Sequence, residues 1–183
     1  AEPYMGKFQT RWYRTLREET IGGVTMPKET GVSKMRLKSV IARVTTNGGK
    51  EWKSVPTPFV KGDGAGMTAT SWLDAKRGIG VGARIAQMRT DTASAVVGIT
   101  DDGGATWTMR PRPAVRGSFF GVSWVPGAAR NTAVAATLAG LLVTRDAGVT
   151  WTAAAPSQYW SVGGVGRTAW GVGPGGRITK LGF

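Results

Sequence analysis

The residues able to do chemistry in this chain are few. Histidine and cysteine are both absent from its 183 residues. That removes the usual general base, the commonest metal ligand and every thiolate. What remains is 11 carboxylates and three tyrosines, Tyr4, Tyr13 and Tyr159. A glycosidase-like centre needs a nucleophile with an acidic partner and a second acid for the leaving group. Only one acid, Asp146, lies beyond residue 102, so the second half has almost none to offer. No Ser/His/Asp set, phosphate loop or metal-ligand cluster stands in the sequence. The expectation is a protein with no catalytic residues, no cofactor and no metal, and Gly103-Gly104 and Gly163-Gly164-Val165-Gly166 read as turn glycines.

The carboxylates that do recur at a fixed spacing have another use. Thr100-Asp101-Asp102-Gly103-Gly104-Ala105-Thr106-Trp107 returns as Thr144-Arg145-Asp146-Ala147-Gly148-Val149-Thr150-Trp151. A weaker copy, Thr45-Thr46-Asn47-Gly48-Gly49-Lys50-Glu51-Trp52, comes earlier. The shared residues are Thr45, Asn47, Gly49 and Trp52, then Thr100, Asp102, Gly104, Thr106 and Trp107, then Thr144, Asp146, Gly148, Thr150 and Trp151. The Asp or Asn side chain is suited to accept from backbone N–H groups two or three residues on. Gly supplies a positive φ in the bend, and the Trp packs over the turn. Each copy therefore reads as a stapled β-hairpin, with its Asp as a buried turn acceptor.

These copies resemble the Asp-box, or bacterial neuraminidase repeat, which joins the third and fourth strands of a β-propeller blade in that family. The run Gly98 to Trp107 is similar to the version in photosystem II assembly/stability factors. Those proteins also carry Gly-aromatic-x-Val-Gly strands, here matched by Gly78 to Gly82 and Ala169 to Gly173. Sialidases resemble this chain only in the repeat. The resemblance implies an all-β propeller and a docking role on a photosynthetic membrane complex.

The composition agrees with short strands and tight turns: 28 Gly, 9 Pro and 41% hydrophobic residues. The four Trp at 12, 52, 107 and 151 are separated by 40, 55 and 44 residues, which is blade spacing. The expected architecture is one domain of about four four-stranded blades over 20–60, 61–112, 113–156 and 157–183. Residues 1–19 form an arm, and the strand at 9–16 is expected to close the last blade by pairing with the C-terminal strands.

Net charge is +13, from 24 Lys and Arg against 11 Asp and Glu. Such a surface favours an acidic partner. Candidate contact residues are Lys34, Arg36 and Lys38 on an alternating strand, and Arg84 and Arg89 in an insertion at 84–94. Arg110, Arg112 and Arg116 lie further on, on a proline-stiffened link. No run of 18 apolar residues is present, so a peripheral position at a membrane is expected. The reading is a non-catalytic interaction module, a subunit or assembly factor at the acidic lumenal surface of photosystem subunits in the thylakoid. The alternatives are an accessory subunit of a mitochondrial complex or ribosome, the latter touching nucleic acid, and a secreted or periplasmic glycan-binding propeller.

Overall fold

The computed structural model describes residues 12–21, 24–34, 40–62 and 64–183. Every long described element is a strand. A hairpin joins β1 (Trp12–Ile21) and β2 (Val24–Lys34). Next come β3 (Val40–Val44) and β4 (Lys53–Thr57), paired around the first Thr-x-Asn-x-Gly turn. A four-stranded sheet holds β5 (Ala65–Trp72), β6 (Gly78–Arg84), β7 (Val97–Thr100) and β8 (Thr108–Met109). A second holds β9 (Phe119–Trp124), β10 (Ala133–Thr137), β11 (Gly140–Thr144) and β12 (Thr152–Pro156). The last is β13 (Ser161–Val165), β14 (Thr168–Val172) and β15 (Ile178–Gly182).

Each sheet is an antiparallel meander, so sequence neighbours pair and loop closure stays cheap. First strands line up side by side: β5 packs on β9, and β9 on β13. The seams are hydrogen-bonded as well as packed. Thr68 Oγ1 donates to Phe119 O at 2.7 Å, and the Trp124 indole donates to Ser71 O at 3.1 Å. Gly164 N donates to Ser123 Oγ at 2.9 Å. This is the architecture of a small all-β propeller, with blades side by side about their inner strands.

Middle strands explain why the blades stack. In β6, β10 and β11 nearly every residue is buried, because both faces are covered by neighbouring sheets. One core cluster joins Ile79, Val81 and Val97 to Phe119, Trp124 and Leu142 across the β5–β8 and β9–β12 sheets. A second joins Val134 and Leu141 to Tyr159 and Ala169, which ties in the last sheet.

Two expectations are corrected. The closing strand does not pair with the C-terminal strands over its described part: Trp12 to Leu16 lie along Lys34 to Glu29 of β2, and β15 has only β14 beside it among the described residues. Only Gly22-Gly23 separates β1 from β2 in sequence, so local pairing closes a very short loop instead of one spanning the molecule. Gly163, Gly164 and Val165 belong to β13, and only Gly166 turns, at φ +52°. A methyl at Gly164 would strike the Trp124 carbonyl, so this glycine permits the close approach of β13 to β9. The described sheets hold two, two, four, four and three strands in chain order.

Candidate functional site

The three repeats build the same hairpin. In the second, the Thr100 hydroxyl donates to Asp102 Oδ1 at 2.8 Å and accepts from Gly104 N at 2.9 Å. Asp102 Oδ1 accepts from Thr106 N at 2.9 Å, and Oδ2 accepts from the Thr106 hydroxyl at 2.6 Å. Thr144, Asp146, Gly148 and Thr150 repeat the set at 2.8, 2.8, 2.8 and 2.6 Å. In the first, Asn47 replaces Asp, and its Oδ1 accepts from Glu51 N at 2.9 Å while Thr45 Oγ1 accepts from Gly49 N at 2.9 Å. The carboxylate thus reaches N–H groups four residues on, farther than an Asx turn, and the leading Thr is the pivot of the bend. Three and four residues after that Thr, the chain bends through left-handed φ: +73° and +88° at Gly103 and Gly104, +57° and +86° at Ala147 and Gly148.

Asp102 is exposed, which corrects the expected buried acceptor: solvent reaches its carboxylate while three donors of its own hairpin bond to it. The Thr106 hydroxyl, then the Thr106 amide and the Thr100 hydroxyl, hold its carboxyl down at about 2. For Asp146, burial pushes the carboxyl up, but hydrogen bonds from Thr150 and Thr144 bring it below the usual range. Tyr159, a nucleophile by residue type, is core: it is 2% exposed, and its hydroxyl meets Thr179 Oγ1 at 2.7 Å.

The basic candidates separate into two groups. Arg112 is not displayed. Its guanidinium donates to the carbonyls of Ser94 (2.9 Å), Asp91 (2.5 Å), Gly117 (2.7 Å) and Val115 (3.4 Å). It also lies 3.8 Å from the Asp91 carboxylate, with both side chains nearly buried. Burial pushes the Asp91 carboxyl up, yet Ser94, Ala93 and Arg112 together leave it below the usual range. Arg112 therefore clamps the 84–94 insertion to the proline link. Asp91 is the sole acid of that insertion and was the sequence signal for the clamp. Arg84 is half-buried at the base of the same loop, its Nε 3.4 Å from Ser94 Oγ, and Arg110 is half-buried with a shielded Nε. Arg89 and Arg116 alone of this set stand exposed. Arg36 and Lys38 lie outside the described residues, and Lys34 is described by its place in β2 alone.

The electrostatic result is lopsided. Asp74 pairs with Arg77 at 2.8 Å, Asp91 with Arg112, and Asp102 and Asp146 serve their own turns. Among the described residues, Lys50, Lys53, Arg89, Arg116, Arg130 and Arg145 are exposed with no acid within ion-pair distance. No described helix is long and apolar enough to cross a membrane.

No family model matches the chain, and no curated protein matches it. Among solved structures it is similar to YCF48 bound to D1 peptide, with a TM-score of 0.54 and 19% sequence identity over 75% of this chain. The match covers 43% of that other chain, so this sequence spans less than half its length. At that identity the likeness is one of fold: the chain is a small β-propeller similar to YCF48.

Proposed function

We propose that this protein is a non-catalytic docking module for the acidic surface of a large photosynthetic membrane complex. It acts from the lumenal side as a peripheral subunit or as an assembly or stability factor. The hairpins are its Asp-boxes, and they build the scaffold without touching the partner. The observation that carries the reading is the lopsided charge. Asp74, Asp91, Asp102 and Asp146 are spent on turns and internal pairs, while exposed Lys50, Arg89, Arg116, Arg130 and Arg145 on the loops have no acid within ion-pair distance among the described residues. Such a surface steers and selects an anionic partner. The shared fold with YCF48, a protein captured with a D1 peptide, supports a protein partner over a nucleic acid.

The test is affinity purification from the cells that make the protein, with mass spectrometry of the proteins that co-purify. The expected result is photosystem subunits, reduced several-fold by the double substitution Arg89→Glu/Arg116→Glu. Recovery of ribosomal proteins and rRNA instead, with steep loss on raising salt, would replace this reading with an assembly that binds nucleic acid.

A further inference from the structure

The first hairpin differs from the other two in a dipeptide that can react with itself. The chain holds two asparagines, Asn47 and Asn131. Asn47 is followed by Gly48, where the other repeats have Asp102-Gly103 and Asp146-Ala147. In an asparagine–glycine step the glycine nitrogen can attack the side-chain carbonyl carbon and close a succinimide ring. Such chemistry is what makes asparagine a thermolabile residue type.

The surroundings of Asn47 suit the attack. Its Oδ1 accepts from the Glu51 amide at 2.9 Å and from the Thr45 hydroxyl at 3.1 Å. Both donors draw charge from the side-chain carbonyl and would hold its oxygen as it becomes anionic. Gly48 brings no side chain to hinder the approach, and a methyl built on it would meet no atom within 4 Å. Its amide has no acceptor among the described residues, whereas the matching amides of Gly103 and Ala147 donate to Lys76 O at 2.8 Å and Asn131 O at 3.1 Å. Asn47 and Gly48 are both exposed, so water reaches them. Asn131 has the opposite setting. The next residue, Thr132, is β-branched and buried, and its amide donates to Ala129 O at 3.2 Å.

We propose that the Asn47–Gly48 step is a modification site at which the folded chain deamidates itself. The Gly48 nitrogen bonds to Asn47 Cγ, the Cγ–Nδ2 bond breaks, and Nδ2 leaves as ammonia, carrying the proton that the Gly48 nitrogen gave up. One water then opens the ring. Attack at the side-chain carbonyl gives an aspartate at position 47. Attack at the main-chain carbonyl gives an isoaspartate, through whose side chain the main chain then runs.

Both products loosen this hairpin. In the other repeats the carboxylate faces a threonine hydroxyl, at 2.6 Å from Thr106 and from Thr150. In the first, Asn47 Nδ2 donates to Glu51 Oε2 at 3.3 Å. Deamidation replaces that donor with a carboxylate oxygen, so an attraction becomes a repulsion between like charges. The isoaspartate adds a methylene to the main chain inside the bend. This inference is independent of the docking reading.

The experiment incubates the folded full chain in buffers from neutral to mildly alkaline pH, digests it, and weighs the peptides, with fragmentation that tells aspartate from isoaspartate. The expected result is replacement of the side-chain amide by an acid at Asn47, as both products and faster at higher pH, with Asn131 unchanged. Survival of Asn47 while a synthetic peptide of residues 44–52 converts completely overturns the proposal, as does equal conversion of Asn131. Gly48→Ala is expected to slow the conversion several-fold, and an unchanged rate overturns the role of the glycine. Asn47→Asp supplies one product directly and is read by amide hydrogen exchange, which does not depend on the reaction. The amide at position 51 is expected to exchange several-fold faster than in the unsubstituted chain. Adding Glu51→Thr rebuilds the pairing of the other repeats and should restore slow exchange. Slow exchange in Asn47→Asp alone, or fast exchange that Glu51→Thr does not repair, overturns the repulsion as the consequence of deamidation.

Discussion

The hairpin at Thr45–Trp52 and the hairpin at Thr100–Trp107 have the same hydrogen-bonded skeleton in different surroundings. In both, the leading Thr accepts from a glycine amide at 2.9 Å, and the Asn or Asp accepts from an amide four residues on at 2.9 Å. Yet nearly all of the first hairpin is exposed, while Thr100, Gly104 and Trp107 of the second are buried. Trp107 meets Phe59 and Trp72 edge-on, each at 6.1 Å. Its indole N–H has no partner, whereas Trp52 donates to Gly49 O at 2.9 Å and Trp151 to Gly148 O at 3.1 Å. The turn's shape is thus a local property of the motif, and its contribution to global stability is set by what packs around it.

The largest effect expected from this contrast is at the tryptophans. Trp107→Ala should cost about 3–5 kcal/mol in denaturant unfolding, because it empties a site between two aromatic rings. Trp52→Ala should cost less than half as much. Equal costs would mean that the hairpin stabilises through its own indole and not through the core. Next come the pivots. Thr100→Val strands a buried glycine amide and should cost about 1–3 kcal/mol. Thr45→Val, where water can take the place of the hydroxyl, should cost about 0.5–1 kcal/mol.

A third effect concerns acid. Asp102 is held at about 2 when folded, against about 3.9 in an unfolded chain. The folded state therefore binds fewer protons between those values. The stability this group supplies is complete above about pH 4 and is lost as pH falls toward about 2. Asp102→Asn should flatten part of that acid limb in pH-dependent melting, leaving the shares of Asp74, Asp91 and Asp146. Asn47, which holds the same place in the first hairpin, has no carboxyl to protonate. The smallest effect is expected at the bend: Ala147→Gly should gain up to about 1 kcal/mol by relieving a left-handed alanine at φ +57°, and Gly103→Ala should lose a similar amount. Thermal melts of the two variants would check the opposite signs.

Much of the fold is legible in the chain because its information is local. The Thr, Asp and Gly of each repeat act within seven residues, so their spacing gives the hairpin. What could not be read depends on contacts distant in sequence. Arg112 looks like a displayed cation beside two prolines, but it is claimed by carbonyls near Asp91 and Ser94, about twenty residues away. Trp12 looks like a repeat tryptophan, but the residues before it lack the Thr-x-Asp-x-Gly turn, and its strand pairs with β2.

The Arg112 clamp has a consequence for how the molecule responds to salt. Its guanidinium faces the negative ends of several peptide dipoles inside the protein, where mobile ions do not reach. Arg89 and Arg116, one on the clamped loop and one just past the link, face the Debye atmosphere directly. Raising ionic strength therefore weakens the attraction of this surface for an anionic partner without altering the shape in which its charges are held. Association and dissociation governed by salt would then be reversible, because the loop that presents Arg89 is ready in the same form each time the ions are diluted.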